Sequence, residues 1–107
     1  MNDTIARHQK MLEQFPNNEL ARFSLGKAYY DLGQFAPAQE QFQFALARKP
    51  DWMVVQILLG KCALSLGNRD AAKAAFERAR QLAIEQHHEG PLAEMEQLLA
   101  ELADGAK

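Results

Sequence analysis

An all-α fold is predicted: an α-solenoid of stacked antiparallel helix hairpins with about six helices. Three observations point to it. The chain repeats itself at 34 residues: Leu25-Gly26-Lys27 returns as Leu59-Gly60-Lys61, Leu32-Gly33 as Leu66-Gly67, and Ala38, Phe42 and Ala45 as Ala72, Phe76 and Ala79. A fixed period of this size means one supersecondary unit used twice. Ala, Leu, Gln and Glu are plentiful while Val, Ile and Thr are scarce, which favours helix over strand. No segment alternates apolar and polar residues as a half-buried strand would.

Each helix has its own punctuation. The first spans residues 3–15, with Asp3 or Thr4 as cap and Ile5, Met11, Leu12 and Phe15 as apolar positions; Pro16-Asn17-Asn18 stops it. Asn18 caps a second helix over 19–32, with Leu20, Phe23, Leu25, Ala28, Tyr29 and Leu32 spread over more than one face. Gly33 ends it in a left-handed turn. The third helix, 35–48, buries Ala38, Phe42, Ala45 and Leu46, and Lys49-Pro50-Asp51 closes it. The fourth, 52–66, repeats the second and ends at Gly67. Asn68 or Asp70 opens the fifth, 69–87. Gly90-Pro91 breaks the chain there, and a sixth helix over 91–103 shows Leu92, Met95, Leu98, Leu99 and Leu102 at helical spacing. Short turns between helices make sequential neighbours antiparallel.

The repeated residues divide by role. Mid-helix glycine costs about 1 kcal/mol relative to alanine, so Gly26 and Gly60 imply close approach of a neighbouring helix. Ala38 and Ala72 are expected to face those glycines across the hairpin, and Phe42 and Phe76 to fill the space between successive hairpins.

Composition narrows the function. The 107 residues suit one domain, 1–107. The net charge of -2, with both signs interspersed, argues against nucleic-acid binding. Cys62 is the only cysteine, so no disulfide forms within the chain, and a reducing, cytoplasmic setting is expected. The polar start MNDTIARHQK shows no signal peptide, and no apolar run approaches the roughly 20 residues of a membrane span.

Taken in register, the repeated residues resemble the tetratricopeptide repeat, whose pattern is W-x2-L-G-x2-Y, A-x3-F, P. The first copy reads Arg22, Leu25, Gly26, Tyr29, Ala38, Phe42 and Pro50; the second reads Gln56, Leu59, Gly60, Ala63, Ala72, Phe76 and Ile84. Arg22 and Gln56 depart from the opening Trp, Ala63 from the Tyr. Ile84 departs from the Pro, which predicts a fifth helix that runs past the usual stop. The resemblance divides the chain into a half-repeat helix at 1–16, repeats at 19–52 and 53–86, and a capping helix at 91–103.

Proteins of that family generally bind other proteins, with the first helix of each hairpin lining a concave groove. The resemblance places Leu20, Phe23, Ser24, Lys27, Tyr30 and Asp31 on that surface, and Val54, Ile57, Leu58, Lys61, Leu64 and Ser65 one repeat on. Apolar pockets with sparse charges suit a helical or extended peptide, with an acidic group of the partner near Lys27 and Lys61. Phe23 and Tyr30 are the expected anchors. Core packing is the competing reading for Leu20, Val54 and Leu58, because a helix in a stack has two contact faces. A solvated face is the competing reading for the two lysines. A subgroup of the family clamps the C-terminal carboxylate of chaperones with basic and asparagine side chains; Phe23 and Leu58 stand where two such groups belong, so that ligand is not expected. Self-assembly as a homodimer through exposed terminal helix faces is the main alternative function. An RNA-binding helical repeat ranks lower, because that class has a 35-residue period and a basic groove.

No catalytic, cofactor or metal site is expected. His87 and His88 are adjacent, and adjacent side chains on a helix point about 100° apart, so their imidazoles do not converge on one ion. Cys62 reads as a buried structural thiol. The glycines form no phosphate loop, and Ser24 and Ser65 sit inside helices without a nucleophile motif. An enzyme is therefore not predicted.

Overall fold

The computed structural model describes residues 3–105; Met1, Asn2, Ala106 and Lys107, the ends of the expected 1–107 domain, lie outside the described residues. Six helices follow one another: α1 (Asp3–Gln14), α2 (Glu19–Asp31), α3 (Phe35–Arg48), α4 (Met53–Ser65), α5 (Arg69–Glu85) and α6 (Glu89–Gly105). Among the described residues there is no strand. Contacts gather the chain into two compact units, Met1–Pro50 and Asp51–Lys107.

In the first unit α2 and α3 form a hairpin and α1 packs on α2. The Asn18 side chain accepts hydrogen bonds from the backbone N–H groups of Leu20 and Ala21 at 2.9 and 3.1 Å, which satisfies two donors that the first turn leaves open. Leu12 of α1 meets Ala21 and Leu25 of α2, with Ile5 and Tyr29 at the edge. Gln9 Nε2 donates to the Tyr29 hydroxyl at 3.0 Å across the same contact.

In the second unit α4 and α5 form the equivalent hairpin, and α6 packs on α5. One apolar cluster joins all three helices: Ile57 and Ala63 from α4, Ala72, Phe76 and Ala79 from α5, Met95 and Leu102 from α6. Asn68 caps α5, accepting from Ala71 N–H at 3.1 Å. α5 has 17 residues against 14 in α3. Ile84 continues the helix where Pro50, lacking an N–H, lies beyond the end of α3.

Three turns share one geometry. At the end of α2, Gly33 N–H donates to Tyr30 O and Gln34 N–H to Tyr29 O; at the end of α4, Gly67 donates to Leu64 O and Asn68 to Ala63 O. Gly33 and Gly67 have φ of 76° and 82°, where glycine has no Cβ penalty. The end of α5 repeats the pattern, with His87 donating to Ile84 O and His88 to Ala83 O, but His87 holds φ 58° as a non-glycine residue.

One expectation is sharpened and two are corrected. The ring of Phe42 lies inside its own hairpin, against Gly26: a Cβ on Gly26 would fall 2.7 Å from Phe42 Cε1. Phe76 meets Gly60 in the same way, at 2.5 Å. The missing side chain of glycine is therefore the space that the ring occupies. Second, α6 begins at Glu89, two residues before the expected 91, so Gly90 and Pro91 both lie in its first turn. The first α-helical bond there is Leu92 N–H to His88 O, so Pro91 forfeits no hydrogen bond. Gly90 also lacks the Cβ that a following proline ring would crowd. Third, α5 ends two residues short of the expected 87, which puts His87 and His88 in the turn rather than on the helix.

Candidate partner-binding surface

The candidate residues occupy two first helices, α2 in the first unit and α4 in the second. On α2, four of the six come together. Phe23, Ser24, Lys27 and Asp31 line a depression of about 270 Å³ with Ala28 and with Thr4 and His8 of α1. Positions 23, 27 and 31 follow one another at spacings of four, and 24, 27, 28 and 31 are linked by spacings of three and four, so the five fall on one broad side of the helix. The lining includes one aromatic: the Phe23 ring is 6.1 Å from that of the buried Phe42, tilted by 37°. The wall is charged, with Lys27 Nζ 2.7 Å from Asp31 Oδ1. Tyr30 stands outside the depression, edge-on to Phe35 at 5.5 Å, with the Lys27 ammonium 6.0 Å from its ring centre. Leu20 is 60% exposed and lies outside the depression as well.

On α4 the equivalent positions behave differently. Ile57 and Leu58 are 7% and 8% exposed, so neither presents a solvent-facing surface. Ile57 is taken up by the cluster that holds Phe76 and Met95. Lys61 pairs with Glu94 of α6 at 2.9 Å, not with its own helix, because Asp31 of the first repeat has become Ser65 in the second. Val54, Leu64 and Ser65 remain exposed. The 34-residue echo therefore holds for the backbone and not for the surface: one lysine sits in a depression, the other is tied to a neighbouring helix.

Thr4, His8 and Ala28 also line the depression, and sequence reasoning passed over them. The register held a signal for two of them, since Thr4 and His8 fall 34 residues before Ala38 and Phe42.

The position of the family Trp is rebuilt by Arg22. Its guanidinium lies 4.0 Å from the Phe44 ring centre, and it donates to Pro16 O through Nε and through a terminal nitrogen, at 3.3 and 3.1 Å, and to Gln41 Oε1 at 3.1 Å. A planar cation that stacks and donates in several directions can replace a flat aromatic that does only the first. Cys62 is fully buried and free, and burial pushes its thiol up to about 11. A thiol held neutral is a poor nucleophile and a poor metal ligand. Among the described residues, no three His, Cys, Asp or Glu side chains are grouped to hold a metal ion, and no helix is long and apolar enough to cross a membrane.

Paired helices with a glycine–phenylalanine contact at each 34-residue step define a helical-repeat protein. The chain belongs to the tetratricopeptide repeat family: the family's pattern matches residues 21–51 and 55–83. It is 36% identical over 70 residues to the TPR repeat-containing protein PA0015 of Pseudomonas aeruginosa, covering 65% of this chain and 67% of that protein. Among solved structures, protein BPP2914 of Bordetella parapertussis is 31% identical with a TM-score of 0.83, over 98% of this chain and 91% of the other. PcrH of Pseudomonas aeruginosa, solved in complex with the chaperone binding region of PopD, superposes with a TM-score of 0.88 at 21% identity, over 96% and 78% of the two chains. At that identity the likeness is one of fold.

Proposed function

We propose that this chain is a non-catalytic protein-interaction module that seats a segment of a partner protein on α2. The observation that carries the reading is the depression in which Phe23, Ser24, Lys27 and Asp31 converge with Thr4 and His8. Phe23 supplies apolar contact area, and the Lys27–Asp31 pair gives the rim both a donor and an acceptor to orient a chain. An ammonium has three donors, so Lys27 keeps hydrogen-bonding capacity for an acidic group of the partner beside Asp31. Two fold neighbours support the reading, PcrH with its PopD region and a TPR of RPAP3 bound to the HSP90 peptide SRMEEVD. Phe23 replaces a clamp side chain with an apolar one, so a terminal acidic motif is not the ligand proposed. The single free Cys62 fits a reducing compartment, and the cytoplasm is the setting proposed.

The test is selection from a displayed peptide library on the wild-type chain, followed by calorimetric titration of the selected peptides. Peptides that use the depression lose tenfold or more in affinity against Phe23→Ala and against Ser24→Arg, and acidic ones also against Lys27→Glu. Unchanged affinity for all three variants overturns the reading.

A further inference from the structure

We infer that His8 makes the α2 depression selective for an acidic side chain of the partner, bound more tightly as the pH falls. The inference rests on the function proposed above, because it concerns how the same depression chooses its occupant.

The 34-residue register singles out His8. Residues 8, 42 and 76 stand one repeat apart. Phe42 and Phe76 are fully buried, each ring filling the space beside Gly26 or Gly60. His8 is only partly buried and lines the depression with Phe23, Ser24 and Lys27 of α2. A register position that holds a buried apolar ring in both hairpins therefore holds a polar, titratable ring at a surface depression.

The other charges there cancel. Lys27 and Asp31 are the charged side chains that α2, the helix packed against α1, brings to the depression, and they hold each other at 2.7 Å. On α1 itself the neighbours of His8 one turn away are Thr4, Ile5, Met11 and Leu12, all uncharged. Arg7, next in sequence, points about 100° away around the helix. The depression is neutral while the imidazole is neutral, and it gains one positive charge when the ring takes a proton, whichever cation then faces Asp31. Imidazoles change charge between about pH 5 and 8, where the carboxylates of a partner are already ionised. His8 has no hydrogen-bond or ion-pair partner among the described residues, so both ring nitrogens are open to a ligand. The Ser24 hydroxyl lines the same depression and donates at any pH. An acidic side chain placed beside Phe23 thus gains a charge-assisted bond only when His8 is protonated. Proton and partner are linked: each tightens the other by the same factor.

The test begins with selection from a displayed peptide library at about pH 5.5. Selected peptides are then titrated by calorimetry from about pH 5.5 to 8.5 against the wild type and His8→Gln, which keeps a polar side chain of good helix propensity but takes up no proton. Peptides that use the depression are enriched in Glu or Asp. The wild type binds them about eightfold more tightly at the lowest pH than at the highest, as expected when a carboxylate beside an imidazolium strengthens proton binding about tenfold. His8→Gln removes that dependence, and so does replacing the acidic residue of the peptide by its amide. Proton NMR of the wild type shows the His8 imidazole holding its proton about tenfold more tightly with peptide bound. Peptides that need Phe23 but carry no acidic residue, bind independently of pH, or keep their pH dependence against His8→Gln overturn the role of His8 and leave the interaction module standing. If no selected peptide needs Phe23, both readings fall.

Discussion

Phe42 Cε1 lies where a side chain on Gly26 would begin, and Phe76 repeats the relationship with Gly60. The ring and the absent Cβ are a single design element, used once in each hairpin.

Gly60→Ala therefore opposes two effects. Alanine gains about 1 kcal/mol of helix propensity. A methyl placed 2.5 Å from Phe76 Cε1 forces the ring or the helix to move, which typically costs about 1–3 kcal/mol. Because Phe76 is fully buried, the cost outweighs the gain, and the net effect is destabilisation of up to about 2 kcal/mol. The cycle with Phe76→Leu measures the coupling: in the Phe76→Leu background the same Gly60→Ala change costs less, since the ring edge it strikes has gone. Chemical denaturation of the four proteins checks this, and strictly additive changes refute the contact.

His87→Gly is expected to stabilise. A residue with a Cβ in the left-handed region carries roughly 1–2 kcal/mol of strain, and glycine gives back part of that relief through a freer unfolded chain, about 0.4–1 kcal/mol. The net gain is about 0.5–1 kcal/mol. Gly33 and Gly67 already hold the same turn with the same hydrogen bonds, so the backbone has no need to change. A thermal midpoint that falls would show that the imidazole makes a contact worth more than the strain.

Arg22→Lys is expected to fail as a conservative change. Lysine keeps the charge but not the planar face over Phe44 or the divergent donors to Pro16 O and Gln41. Loss of about 1 kcal/mol is expected for both Arg22→Lys and Arg22→Ala, from the stack and the hydrogen bonds together. Near-equal midpoints for the two variants confirm that shape matters here more than charge. A lysine variant as stable as the wild type would assign the effect to charge alone.

These cases show which parts of the fold were written plainly in the chain. Helix ends marked by Asn18, Gly33, Gly67 and Asn68 fall within a residue or two of expectation, because caps and left-handed turns are local chemistry. His87 at the third such turn has no local signature: the two hydrogen bonds around it form with any residue that tolerates the strain. Pro91 misleads for a related reason, since proline stops a helix in its middle and is harmless in its first turn. The burial of Ile57 was not legible, and that of Leu58 only as one of two readings, because α4 is apolar around its whole circumference. Periodicity marks a solvent face only where polar residues recur, and here they do not. The partners of Lys27 and Lys61 diverge for a residue outside the repeated set, Asp31 becoming Ser65, so the echo of the lysines themselves carried no warning.

Cys62 supplies a prediction in pH. The folded chain holds the thiol at about 11 by burial, against an ordinary value of 9.0. Between those two values the unfolded chain has released the proton and the folded chain keeps it, so unfolding is favoured as pH rises. The stabilising effect of the neutral buried thiol is complete below pH 9 and is lost progressively up to about pH 11. Two pH units of difference correspond to something on the order of 2 kcal/mol. The quantity to measure is the difference between the wild type and Cys62→Ala, by urea unfolding under reductant from about pH 8 to 11, which isolates the thiol. The wild type loses more stability than the variant across that range. Parallel curves would mean that the thiolate is accommodated in the folded chain, and fast reaction of the native protein with a thiol reagent at about pH 8 would say the same by an independent route.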